Sequence, residues 1–118
     1  MNVKIRSIEI DKAITTFVAI NLDDGSIVGK CSLKIRGNKT LRYQDAEVIR
    51  RCRGNGIYKK LFLAREKFIK RNKLDNYRIE SYCKKSTLNL FLKYGFTIKE
   101  ELFLVKKLTS KKKILKVA

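Results

Sequence analysis

The 118 residues include no histidine and no proline, three cysteines, and only 11 acidic side chains against 29 basic ones. Without histidine, Ser–His and Cys–His nucleophilic catalysis is excluded. Any proton transfer falls to Glu, Asp, Tyr, Cys, Lys or a water chain. Cys31, Cys52 and Cys83 contain no Cys-x-x-Cys pair and have no histidine to complete a zinc set, so neither a disulfide framework nor a metal site is expected. There is no proline, no repeat and no linker, and this length supports one domain with a single modest core. No apolar run approaches the roughly 18 residues that a membrane span needs. The opening Met-Asn-Val-Lys-Ile-Arg lacks the apolar segment of a signal peptide. The expectation is a soluble, cytoplasmic chain with no membrane partner.

What is abundant is positive charge. A net charge of +18 makes polyanions the favoured partners, nucleic acid or an acidic protein surface among them. Lysine supplies most of it beside many Ile and Asn residues, which an AT-rich genome explains equally well. A cationic small-molecule substrate is disfavoured, because it would be repelled and few carboxylates are present to hold it.

Period-2 patterning marks strands at Val3 to Ile10, Ile14 to Leu22, Ile27 to Ile35 and Leu41 to Ile49. The turns between the later ones are Asp23-Asp24-Gly25-Ser26 and Arg36-Gly37-Asn38-Lys39. Ile57, Leu61, Ala64 and Phe68 then form one apolar stripe of a helix, with Arg65, Glu66, Lys67 and Lys70 filling much of the rest. A short strand (Tyr77 to Cys83) follows. Next comes a second helix, capped by Ser86 or Thr87, whose Leu88, Phe91 and Leu92 share a face and which Gly95 stops. Phe96 to Ile98 and Leu102 to Leu108 close the sheet, and residues 109–118 form a basic tail after a single domain of residues 1–108. The strand–helix–strand unit from Leu41 to Cys83 requires a right-handed crossover and a parallel pair.

Arg53-Gly54-Asn55-Gly56-Ile57-Tyr58 lies between a strand end and a helix start. Free N–H groups of a first helical turn, the helix dipole and two glycines make such a turn an anion site. It is not an NTPase phosphate loop, since no Lys-Ser or Lys-Thr follows the glycines. Nor is it a dinucleotide fingerprint, since Lys59 stands where a third glycine belongs.

Arg53-x-x-Gly56 after the fourth strand, followed some 40 residues on by the segment Leu88 to Phe96, resembles the GNAT superfamily of N-acetyltransferases over roughly residues 41 to 108. The resemblance implies a layered α/β fold: a mixed, mostly antiparallel sheet of six to seven strands, a central βαβ unit and about two main helices. It implies acetyl-coenzyme A as co-substrate, its pyrophosphate wrapped by Arg53, Gly54, Asn55, Gly56, Ile57 and Tyr58. The backbone of Val48 would meet the pantetheine arm, and N–H groups near Val48 and Ile49 the thioester oxygen. Lys84, Thr87 and Phe91 occupy the Asn, small-residue and aromatic positions of the second signature. The shifted frame Arg51-x-x-Gly54-x-Gly56 also fits the loop pattern.

Three departures qualify these roles. Tyr58 replaces the final small residue of the loop. Lys84 replaces an asparagine and offers a phosphate contact instead. Phe91 replaces the tyrosine that often protonates the leaving thiolate, which leaves Tyr82 and Tyr94 as substitutes. Asp45 and Glu47, expected on one strand face with Tyr43 and Ile49, are candidate bases, with Glu80 a third; each is equally readable as a surface acid. Tyr43, Tyr58 and Tyr82 are readable as core and pocket residues or as a stacking surface. Cys52 stands between two arginines, where a loop cysteine with no role is the plainer reading. Only Asp11-Lys12-Ala13 separates the first two strands, where the family normally has one or two helices walling off the acceptor. An open site for a macromolecular amine is the implication.

Overall fold

The computed structural model describes residues 1–74, 76–100 and 103–107. Over these the chain forms β1 (Val3–Glu9), β2 (Ile14–Asn21), β3 (Ile27–Arg36), β4 (Thr40–Val48), α1 (Ile57–Arg71), β5 (Arg78–Tyr82), α2 (Leu88–Lys93), β6 (Thr97–Glu100) and β7 (Phe103–Lys107). All seven strands share one sheet in the order β1-β2-β3-β4-β5-β7-β6, antiparallel except for the parallel β4–β5 pair. The expected mixed sheet with a central βαβ unit and two helices is present. Most strand ends shift by a residue or two, and the expected tail at 109–118 lies outside the described residues.

No helix separates β1 from β2. The Asp11 carboxylate accepts the N–H groups of Ala13 (2.7 Å) and Ile14 (2.9 Å) and closes a tight turn. Both helices therefore lie on one side of the sheet. Phe68 packs edge-on against Phe17 of β2, Phe62 against Tyr43 of β4, and Phe91 of α2 against Phe62. Gly29 of β3 permits the close approach of α1, since a Cβ there would stand 3.2 Å from side-chain atoms of both Ile57 and Leu61. Of the apolar residues in β1, Val3 and Ile5 pack against the core while Ile8 is exposed.

The buried side of α1 is broader than the expected stripe: Ile57, Leu61, Phe62, Arg65 and Ile69, with Ala64 and Phe68 packed beside them. Arg65, read from its charge as a solvent-facing residue, is 1% exposed. Its position four residues after Leu61 puts it on the inner face regardless of polarity. The guanidinium lies 3.9 Å from the centroid of the Tyr43 ring and donates through Nη1 to the Ser32 carbonyl at 3.2 Å. The other correction of this kind is Leu92, which is 41% exposed; α2 buries Phe91 instead. The C-terminus of α2 is closed by bonds from Phe96 N–H to the Phe91 carbonyl and from Gly95 N–H to that of Leu92, each 3.1 Å.

Tyr43 anchors a buried polar chain. Its hydroxyl donates to Glu66, whose other oxygen accepts Lys106 Nζ at 2.9 Å. Burial first, and then the neighbouring Glu66 charge, push the Tyr43 pKa well above the usual tyrosine value. A folded-state pKa raised this way contributes stability that is whole below the unfolded value of about 10 and is lost as pH rises beyond it. Urea midpoints should therefore fall more steeply above pH ~10 in the native chain than in Tyr43→Phe. The variant itself starts less stable at neutral pH, because Glu66 loses a partner. Parallel pH profiles for the two proteins would refute this assignment.

Candidate active-site cleft

The site begins with an irregularity in β4. Ser32 pairs with Gln44 and Lys30 with Glu47, so two steps along β3 face three along β4. The additional residue is a β-bulge, within which Asp45 takes a positive φ of 56°. The bulge explains why Tyr43 and Val48, five residues apart, are both buried. It also corrects the strand reading above. Asp45 lies inside the bulge without a cross-strand partner, and Glu47 faces the side of the sheet opposite Tyr43, across from Lys30. Strict alternation would have put Ile49 with Tyr43, but Ile49 lies past the strand end.

β5 accompanies β4 only from Thr40 and Arg78 to Tyr43 and Ser81. Beyond that pair the bulged end of β4 runs on to Val48, while β5 stops at Tyr82. The gap is a cleft of about 540 Å³. Asp45, Glu47 and Val48 form its β4 wall, Arg53, Tyr58 and Arg65 come from the loop and α1, and Tyr82, Lys84, Thr87 and Phe91 close the far side.

The loop at its mouth is held by its own side chains. Arg53 Nε donates to the Val48 carbonyl (3.0 Å) and Asn55 Nδ2 to the Cys52 carbonyl (2.9 Å). Gly54 and Gly56 have φ of 86° and 74°, and Gly56 is the residue preceding α1. No side chain caps this helix and its first turn holds no acid. Its leading N–H groups and the positive end of its dipole are thus left to an external anion. Ile57 contributes backbone only, because its side chain is in the core.

Tyr58 is turned into the cleft. Thr87 lines the cleft with it, its hydroxyl donating to the Lys84 carbonyl at 3.2 Å. Burial chiefly raises the pKa of Tyr58, as it does that of Cys83. Tyr82, at 69% exposure, stands at the rim. Phe91 is 1% exposed between the Phe62 and Phe96 rings, at 5.1 and 5.0 Å, and forms the floor.

Three expected participants are placed elsewhere. Tyr94 packs against Phe62 and does not line the cleft. Glu80 is also outside it, paired with Arg42 of the neighbouring strand at 2.8 Å and with Arg78 of its own strand at 3.7 Å. The Ile49 N–H already donates to the Val28 carbonyl at 2.9 Å, so it is not available to a thioester oxygen. Cys52 is buried in the core. Arg65 is the cleft residue that sequence reasoning missed; its spacing from Ile57 and Leu61 was the signal that could have found it. Among the described residues no cluster of His, Cys, Asp or Glu could hold a metal ion.

No family model matches the chain, and no curated protein sequence does either. Solved structures do. An IAA acetyltransferase from Bacillus cereus superposes with a TM-score of 0.65 at 23% identity, covering 80% of this chain and 77% of the other. PaiA N-acetyltransferase from Thermoplasma acidophilum, a complex with coenzyme A, gives 0.66 at 20% identity, covering 80% and 61%. An acetyltransferase of the GNAT family from Staphylococcus aureus gives 0.67 at 22% identity, covering 81% and 68%. This chain has the GNAT acetyltransferase fold. At such identities the likeness is one of fold. Here the GNAT fold has a bare turn between β1 and β2, with both helices on one face of the sheet. Among the described residues no helix covers the opposite face, onto which Glu47 and Tyr82 look.

Proposed function

We propose that the protein is an acetyl-coenzyme A-dependent N-acetyltransferase whose acceptor is an amine on a macromolecule, either a protein lysine or N-terminus or an aminoacyl-RNA. The observation that carries this reading is continuity. Arg53 and Tyr58, on either side of the uncapped N-terminus of α1, both line the gap between β4 and β5. A diphosphate at that N-terminus with its thioester arm in the gap is the natural occupant. The coenzyme A bound to the Thermoplasma relative supports the same donor.

In this reading the N–H groups around Gly54, Gly56, Ile57 and Tyr58, with Arg53 and Lys84, hold the diphosphate. Val48 offers strand backbone to the pantetheine amides. The acceptor comes from the helix-free face, where Glu47 or Asp45 takes a proton from the ammonium, directly or through water. The neutral nitrogen then attacks the thioester carbonyl, the new C–N bond forms as the C–S bond breaks, and the thiolate departs. Phe91 has no proton to give it. Tyr58, protonated at neutral pH as any tyrosine is and pushed further toward that form by burial, is the donor already inside the cleft.

Calorimetry with acetyl-coenzyme A, and mass spectrometry of lysate proteins and RNA for a gain of one acetyl group, test the reading. No binding at millimolar coenzyme would end it. Binding without turnover would favour the alternative, a coenzyme-binding module without catalysis, to which Phe91 points. Tyr58→Phe should lower turnover by about a hundredfold, the usual contribution of a general acid, while coenzyme affinity stays within a few-fold. Unchanged turnover would remove Tyr58 from the mechanism.

A further inference from the structure

We infer that the helix-free face of the sheet is a docking surface for nucleic acid, held through its phosphates. Cross-strand partners share a face, so the pairings Lys4 to Ile20, Arg6 to Val18 and Val18 to Lys30 put Lys4, Arg6 and Lys30 together. Lys34 to Arg42 continues the same face toward β5. It is the face away from the helices, since their contacts are with Phe17, Cys31 and Tyr43, which alternate with these residues.

Lys4, Arg6, Lys30 and Lys34 are exposed, and among the described residues none has an ion-pair partner. One carboxylate, Glu47, stands on this face across from Lys30, at the end of the grid beside the cleft; the others that could offset the cations are segregated or already engaged. Asp11, Asp23 and Asp24 lie in the turns at the sheet ends, Glu66 is engaged on the helix side, and Glu80 is bound by Arg42 and Arg78. Strands about 4.8 Å apart, with same-face residues near 6.8 Å along each, spread these cations as a flat grid rather than a pocket. Such a grid suits a repeating polyanion better than a single phosphate. At the edge of the grid next to the cleft stands the exposed Tyr82 ring, with the Arg42 guanidinium 5.7 Å from its centroid, a surface on which a base can stack. The inference stands whether or not the cleft transfers acetyl groups.

Fluorescence anisotropy with a labelled 20-nucleotide RNA, and with DNA of the same sequence, measured across a salt series, tests it. A steep fall of affinity with salt is expected. The quadruple variant Lys4→Ser, Arg6→Ser, Lys30→Ser, Lys34→Ser should lose about tenfold or more at low salt and reduce the log–log slope by about 3, some 0.7 per lost phosphate contact. A control removes the same charge from the other side of the molecule through Lys67→Ser, Lys70→Ser, Arg71→Ser, Lys73→Ser and should lose several-fold less. Thermal melts confirm that both variants fold, and Lys4→Ser with Arg6→Ser alone provides a milder variant if the quadruple does not. Equal losses in the two sets would overturn the proposal by reducing it to net charge. So would a flat salt response, or tighter binding to polyglutamate or to anionic phosphatidylserine vesicles than to nucleic acid.

Discussion

Gly56→Glu should abolish measurable acetyl-coenzyme A binding while leaving a folded protein. Gly56 precedes α1 with φ of 74°, and a Cβ there would meet no atom within 4 Å. The new side chain therefore projects into open space beside the uncapped first turn. Two effects add. A residue with a Cβ pays about 1 kcal/mol or more for the left-handed conformation. The carboxylate also stands against the diphosphate and neutralises the helix dipole. Like charges 4 Å apart repel by about 1 kcal/mol in water and about 4 kcal/mol at a protein-surface dielectric, so a loss of about a hundredfold or more is expected. Gly56→Ala separates the two, because it carries the backbone strain without the charge and should keep most of the affinity. Calorimetry on both variants decides it. Normal binding by Gly56→Glu would mean that the loop does not hold the coenzyme.

The largest effect on stability is expected at Phe62. Its ring is fully buried where α1, α2 and the sheet meet, with the rings of Phe91, Tyr94, Tyr43 and Phe96 at 5.1, 5.3, 5.7 and 6.2 Å. Phe62→Ala removes the one ring that all four share and leaves a cavity that the surrounding rings cannot fill without losing their own contacts. A cost of about 3–5 kcal/mol is typical of such a deletion. At about 4 °C per kcal/mol for a domain of this size, the melting temperature should drop by 12–20 °C. Phe62→Leu should cost markedly less. Because Phe91 is at once a neighbour of Phe62 and the floor of the cleft, coenzyme affinity should weaken in Phe62→Ala even where the protein stays folded. A denaturation midpoint within 1 kcal/mol of the native chain would show that the cluster repacks, contrary to this account.

Much of the fold was legible because its signals are local. Alternation in Ile14 to Leu22, the change to helical spacing after Ile57, and the glycines at 54, 56 and 95 each depend on a few neighbouring residues. Reading failed where position in three dimensions overrode residue type. Arg65 looked solvent-facing because it is charged, yet it is enclosed by Tyr43 and the Ser32 carbonyl. Asp45 and Glu47 looked like one face of a strand because alternation assumes regular pairing. A bulge is invisible without the partner strand that reveals its extra residue. Tyr94 and Tyr82 were equivalent in sequence, each a tyrosine near the second helix. Only packing put one against Phe62 and the other at the rim of the cleft.

The sequence by itself determined the anion-ready loop, the order of strands and helices, and the large excess of positive charge, since all three are properties of the chain read locally or in sum. The tertiary structure decided the cleft and the two-sidedness of the molecule. The cleft exists because the bulge leads β4 on past the end of its pairing with β5. The bare face exists because a turn closed by Asp11 joins β1 to β2 where a helix could otherwise cover Lys4, Arg6, Lys30 and Lys34. Both depend on which strands lie side by side, and that is settled only when the whole sheet has formed.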